Sequence, residues 1–104
     1  MLVEIFEDGS GTARGSMYHV RNSPNDVEVL GCGTKTFKNN APRWGFCQAA
    51  DSDDEYVSCE TTKPEMLDQI RAIADYSYVR FDFDENFECT RIDVSTQSFY
   101  LPGD

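Results

Sequence analysis

Residues 78–83, YVRFDF, place Val79, Phe81 and Phe83 at one parity and Tyr78, Arg80 and Asp82 at the other. A period of two is the mark of a strand with one dry face and one wet face. Asp84, Glu85 and Asn86 then supply turn residues, so the chain is expected to return as a β-hairpin. On the return, Phe87 and Cys89 share one parity whereas Ile92 and Val94 share the other, which predicts a bulge near Thr90 and Arg91. In this hairpin Asp82, Glu88, Arg91 and Asp93 fall on the solvent face, where cross-strand ion pairs are expected. Earlier in the chain, LVEIF followed by EDGSG reads as a strand entering a turn. SMYHV (16–20) and VEVLGC (27–32) read as further strands, separated by the breaker cluster RNSPND. GTKTFKNNAPR (33–43) is polar and turn-rich, hence an exposed loop. WGFCQAA (44–50) and YVSCE (56–60) flank the acidic turn DSDDE as a second hairpin, and STQSFYLPGD reads as a last strand ending at Pro102.

The period changes only once, in TTKPEMLDQIRAIADY. Met66, Leu67, Ile70, Ile73 and Ala74 form one apolar stripe at helical spacing, with Asp68, Arg71 and Asp75 on the wet side. Thr62 and Glu65 match a capping box and Pro64 suits a first turn. A helix over about residues 63–75 with a single apolar stripe needs a surface to lie on, and the available surface is the sheet. The expected fold class is α+β: a small, mostly antiparallel β-sheet with one α-helix packed on it. At 104 residues, the chain fits a single domain spanning 1–104.

Charge narrows the possible partners. The formal net charge of −10 falls entirely on residues 51–104, because residues 1–50 balance five basic side chains against five acidic ones. There is no cluster of lysine or arginine, so direct binding to nucleic acid or to an anionic membrane surface is not expected. Nor does any apolar run reach the length of a membrane-spanning helix. The N-terminal stretch carries Glu4, Glu7 and Asp8 where a secretory leader has basic residues and an apolar core, so no signal peptide is read there. What remains is a basic protein partner or simple solubility. Tyr76, Tyr78, Phe99 and Tyr100 crowd the last third of the chain; most of these rings are expected in the core, and any that surface beside carboxylates would add to a contact patch.

The candidate chemistry is thin. Four cysteines, Cys32, Cys47, Cys59 and Cys89, lack the close pairs typical of zinc sites, and an even count permits two disulfides in three connectivities. In a reducing compartment they would be small buried hydrophobes. Localisation follows from that choice: extracytoplasmic if they are bonded, cytoplasmic if not. Asp82, Asp84, Asn86 and Glu88 begin like a calcium loop, but Phe87 occupies the glycine position and Asp93 the position of the bidentate glutamate. Asp51, Asp53, Asp54 and Glu55 read more simply as a charged turn. The single histidine, His19, leaves a Cys–His pair with Cys32 or a Ser–His pair arithmetically open, yet no motif supports either. GSGTARG resembles a phosphate loop only in its glycines, since no suitable helix follows it. The expectation is no enzyme, no cofactor and no metal.

The stretches GSMYHVRNSPNDVEVLGCG, GFCQAAD, SCETTKPEMLDQI and SYVRFDFDENFECTRIDVSTQSFYLP together resemble a set of small bacterial proteins. The resemblance covers roughly residues 15–102 and aligns all four cysteines, and it implies export for several members of the set. It implies no activity, cofactor or catalytic residue. This chain departs from the set in its heavier acidity and in lacking a leader. Two functions are therefore expected from different classes. The first is a non-enzymatic acidic binding module that contacts a basic partner through Asp51, Asp53, Asp54, Glu55, Asp82, Asp84 and Glu88. The second is a disulfide-stapled extracytoplasmic structural domain without a specific ligand. A nucleic-acid mimic and a calcium-binding hairpin are the outlying forms.

Overall fold

A computed structural model describes residues 1–36 and 43–101. Its element order is β1 (Leu2–Ile5), β2 (Gly11–Ser16), α1 (Met17–Arg21), β3 (Val29–Lys35), β4 (Trp44–Ala50), β5 (Tyr56–Thr61), α2 (Pro64–Arg71), β6 (Tyr78–Phe83) and β7 (Cys89–Ser95), followed by a 3₁₀ turn at Ser98–Tyr100. The class is α+β, but the strands form two antiparallel sheets rather than one. A four-stranded sheet has the order β1-β2-β6-β7, and a three-stranded sheet the order β3-β4-β5.

The expected alternation in β6 is realised: Val79, Phe81 and Phe83 are buried while Tyr78, Arg80 and Asp82 are half-exposed. The expected bulge is present as well, because Asp82 pairs with Arg91 but Phe83 pairs with Cys89, leaving Thr90 as the extra residue. Opposite the rings of β6 lies β2, whose inward residues are Gly11, Ala13 and Gly15. At Gly11 a Cβ would stand 2.6 Å from the Phe83 ring and 2.2 Å from the Glu4 carbonyl oxygen, so only glycine fits between them. The apolar faces of both sheets share one core with Leu67 and Ile70 of α2. Gly45 of β4 is the seat for that helix: a Cβ there would meet Leu67 Cδ2 at 2.7 Å and Ile70 Cδ1 at 2.8 Å.

Several sequence expectations are corrected. SMYHV is not a strand: Ser16 ends β2, and Met17–Arg21 is the short helix α1. The Met17 N–H donates to the Ser77 carbonyl at the end of the β2–β6 ladder, and Asn22 closes the helix by donating from its backbone and its side chain to the Tyr18 carbonyl. The main helix is shorter than 63–75. Its N-cap is Lys63, with no side-chain cap; the Thr61 hydroxyl instead accepts from the Lys63 N–H just before the helix begins. After Arg71 the Ala72 and Ile73 N–H groups bond three residues back, and the Ser77 hydroxyl accepts from Ala74 N–H, which ends the helical run. The segment expected as a last strand forms the 3₁₀ turn Ser98–Tyr100, and residues 102–104 lie outside the described part. Of the loop expected over 33–43, Gly33–Lys35 are the end of β3, and residues 37–42 lie outside the described part. The aromatic quartet is not core either: Tyr76, Tyr78 and Tyr100 are half-buried and Phe99 is 76% exposed. Tyr78 stacks on Tyr100 on the outer side of the four-stranded sheet.

The two sheets meet at their β5 and β7 edges. A Cys59–Cys89 disulfide crosses between them, and Glu60 N–H donates to the Phe87 carbonyl at 2.9 Å. A second disulfide, Cys32–Cys47, joins directly opposed residues of β3 and β4. No described helix is long and apolar enough to cross a membrane.

Because Phe81 is fully buried and Phe99 is not, their truncations should diverge. In urea denaturation Phe81→Ala is expected to lower the unfolding free energy by about 3–5 kcal/mol, while Phe99→Ala should stay within about 0.5 kcal/mol of the parent.

Candidate functional site: an acidic hairpin end

Among the described residues, three hairpins close with the same backbone turn. In the β6–β7 turn Asp84 N–H donates to the Glu88 carbonyl and Phe87 N–H to the Asp84 carbonyl, while Asp84 Oδ1 accepts from the N–H groups of Asn86 and Glu88 at 2.9 and 3.0 Å. The β4–β5 turn repeats this bond for bond: Asp51 N–H donates to Glu55, Asp54 N–H to Asp51, and Asp51 Oδ1 accepts from Asp53 and Glu55, each at 3.0 Å. Between β1 and β2, Phe6 N–H donates to the Ser10 carbonyl and Gly9 N–H to the Phe6 carbonyl. All three turns need a left-handed residue in fourth place. Gly9 supplies it at φ +89°, Asp54 at +59° and Phe87 at +62°. Glycine enters this region freely and Asp is tolerated there; a phenylalanine is an outlier, held at a cost of roughly 1–2 kcal/mol.

The three turns lie close together. Gly11 of β2 pairs with Phe83 of β6, so the first and third turns leave the four-stranded sheet at one end, and the Gly9 position faces Glu85 Cβ. Tyr56, directly after the β4–β5 turn, reaches the same place. Ile5, Gly9, Tyr56, Val57, Ser58, Phe83 and Phe87 line a mainly apolar groove of about 470 Å³. Ile5, Phe6, Tyr56 and Phe87 are about half exposed or more, Phe87 at 60%. The Tyr56 hydroxyl donates to Gln48 Oε1, which orients its ring.

The three turns whose residues line this groove are rich in carboxylates. Asp51, Asp53, Asp54 and Glu55 come from one and Asp84, Glu85 and Glu88 from another. Glu7 and Asp8 of the third come from the half of the chain that is neutral in sequence. Hydrogen bonds from the Ser10 hydroxyl and backbone N–H hold the Asp8 carboxyl below the ordinary carboxylate range. None of the four ion pairs among the described residues, Arg14–Glu4, Arg71–Asp68, Arg80–Asp82 and Arg91–Asp93, involves a turn carboxylate. Lys63 approaches from one side, where it lines a second depression with Trp44, Glu60 and Glu88.

Asp82 does not belong to this end. It lies on the outer face of the four-stranded sheet, where Arg80 donates to both of its carboxylate oxygens at 3.1 and 3.2 Å. Arg80 is opposite Asp93 and Asp82 opposite Arg91, so the four charges form a ladder. The contacts within it run along each strand, Arg80 to Asp82 and Arg91 to Asp93, rather than across as expected. The expected acidic face is thus divided: six of its seven residues sit in two turns, and the seventh is neutralised elsewhere.

Two of the four calcium-loop candidates already have partners: Arg80 holds Asp82, and Asp84 Oδ1 accepts from two backbone amides. Among the described residues, one group brings three or more metal-type ligand atoms within 4.8 Å of one another: Cys47, Cys59 and Cys89. His19 is exposed on α1 and lines a separate depression of about 480 Å³ with Arg14, Ser16, Tyr78, Phe99 and Tyr100, at the Tyr78 end of β6. No cysteine is free, so the Cys32–His19 pair has no thiol to activate. Sequence reading missed Ile5, Tyr56, Phe83 and Phe87 as a group. The available signal was the Asp-x-x-x-Glu repeat shared by DSDDE and DENFE, with a phenylalanine in the place that favours glycine. Comparison with protein-family models, curated proteins and solved structures finds no match.

The Asp82 carboxyl is pushed up by partial burial, but the Arg80 hydrogen bonds and the charges of Arg80 and Arg91 outweigh this and hold it below its usual range. Its contribution to stability is therefore full above the unfolded-state value and lost as pH falls through the lower folded-state value. Urea unfolding of the parent and Asp82→Asn should show a gap at neutral pH that closes once the pH drops below the ordinary aspartate range.

Proposed function

We propose that the chain is a non-enzymatic binding module whose hairpin end receives a cationic, amphipathic segment of a partner protein. The observation that carries this reading is Phe87, an exposed aromatic ring in left-handed backbone that lines an apolar groove formed beside three carboxylate-rich turns. Strain retained at an exposed position points to a use for the side chain there, since glycine would fold more easily. An apolar cleft desolvates one or two aliphatic or aromatic side chains of the guest, and the surrounding charge favours flanking lysines or arginines and speeds their approach. Tyrosine and phenylalanine suit such an anchor because few rotatable bonds are frozen when they engage.

A second reading has its own support. Two disulfides in a chain of 104 residues fit an oxidising, extracytoplasmic setting, in which the domain would be a stapled structural unit whose acidity serves only solubility. The two readings part on whether the groove takes a guest.

Titration with a synthetic peptide alternating lysine and leucine tests them. The binding module requires saturable binding that weakens steeply between low and physiological salt, and at least about a tenfold loss of affinity in Phe87→Gly and in Tyr56→Ser. In the same Phe87→Gly variant, stability should rise by roughly 1 kcal/mol, because the left-handed residue is relieved. Absent or salt-insensitive binding would favour the structural domain instead.

A further inference from the structure

We propose that the chain, when its disulfides are reduced, holds one zinc ion on the four thiolates of Cys32, Cys47, Cys59 and Cys89. This is independent of the groove and of what binds there. The sequence has no CxxC pair, yet the sheets assemble the equivalent set across strands. Cys32 is opposite Cys47 in the β3–β4 register, and Cys47 is opposite Cys59 in the β4–β5 register, so three cysteines stand side by side across the three-stranded sheet. Cys89 arrives from the first residue of β7 in the other sheet. The sulfurs of Cys47, Cys59 and Cys89 lie within 4.8 Å of one another, and the Cys32 sulfur is bonded to that of Cys47. Tetrahedral Zn–S bonds of about 2.3 Å require sulfurs about 3.8 Å apart, so once their bonds are cut the Cys59–Cys89 and Cys32–Cys47 pairs have to spread, while Cys47 needs to close on Cys59 and Cys89 by no more than about 1 Å.

Burial favours the metal once the bonds are opened. Cys47 and Cys59 are fully buried and Cys89 is 3% exposed, so water is excluded from three of the four ligands. A thiolate is costly in such a place unless a cation shares it. Cys32 is half-exposed, which gives reductant and metal a way in. Reduction by a dithiol breaks both S–S bonds in two exchange reactions, oxidises two dithiols to their own disulfides and leaves four thiols here. Coordination then forms four Zn–S bonds as four protons pass to solvent. The ion ties β3, β4, β5 and β7 at one point, replacing two staples with a single four-armed one.

Reduction of the full chain with a phosphine under anaerobic conditions, followed by Zn²⁺ alone, tests this by native mass spectrometry, thiol alkylation and thermal melting. One zinc per chain, four thiols shielded from alkylation, and a melting temperature raised by zinc and lowered again by chelator are expected. The oxidised chain should bind at least about 100-fold more weakly, and Cys32→Ser should cost about 10–100-fold in affinity while still giving a zinc-dependent melt. Should reduction unfold the chain, zinc is expected to restore the strand signal in circular dichroism. Equal uptake by the oxidised chain would assign the metal to surface carboxylates and overturn the proposal, as would unshielded thiols or a reduced chain that zinc neither stabilises nor refolds.

Discussion

The junction between the β5 and β7 edges is the constraint from which the rest of the molecule follows. Within each sheet, antiparallel ladders between neighbouring strands are enough to define the local shape. Nothing in those ladders says how the two sheets meet. The Cys59–Cys89 bond and the Glu60–Phe87 hydrogen bond fix that relation at one point, where the two chain segments also form a single parallel bridge, Glu60 with Glu88. A link between residues 30 apart in sequence removes much of the freedom of the unfolded chain, a contribution of roughly 2–4 kcal/mol. It also brings Cys89 to Cys47 and Cys59 in the core, and Tyr56 to the groove that Phe83 and Phe87 line.

Electrostatics and backbone strain then divide the molecule into a face of paired charges and an acidic end. On the outer face of the four-stranded sheet, Arg80, Asp82, Arg91 and Asp93 answer one another, so their charge is spent locally. At the turns, carboxylates serve the backbone first: Asp51 and Asp84 each accept two amide hydrogen bonds, which order their loops. The neighbouring Asp53, Asp54, Glu55, Glu85 and Glu88 are exposed. Three turns of one design make the contrast informative, because the residue in the left-handed place is Gly9 in the first, Asp54 in the second and Phe87 in the third. The departure from the easy choice increases toward the ring that overhangs the groove.

Much of this was legible in the chain, and the gaps have physical causes. The hairpins around DSDDE and DENFE, the buried parity of Val79, Phe81 and Phe83, and the bulge at Thr90 all follow from a period of two, which a single sequence displays directly. The strand β2 was hidden because its inward residues are Gly11, Ala13 and Gly15, with Gly11 making room for the Phe83 ring and Gly15 for Met1; a residue that makes room leaves no apolar signal of its own. SMYHV alternates well enough for a strand, but the ladder between β2 and β6 ends at Ser16 and Tyr78, and the chain coils where it has no partner. The same lack of a partner leaves Ser98–Tyr100 as a turn. Division into two sheets and the gathering of the turns depend on contacts between distant residues, so the sequence grouped all seven acidic residues on one face and could not show that Asp82 lies apart from the other six.

Disulfide mapping of the unreduced chain by proteolysis and mass spectrometry tests the junction most directly. The account predicts linked fragments containing Cys59 with Cys89 and Cys32 with Cys47, and no free thiol. A Cys47–Cys59 link, a Cys32–Cys89 link or a free Cys89 would leave the two sheets joined in some other way, and the groove, its rim and the sulfur cluster would all lose their foundation.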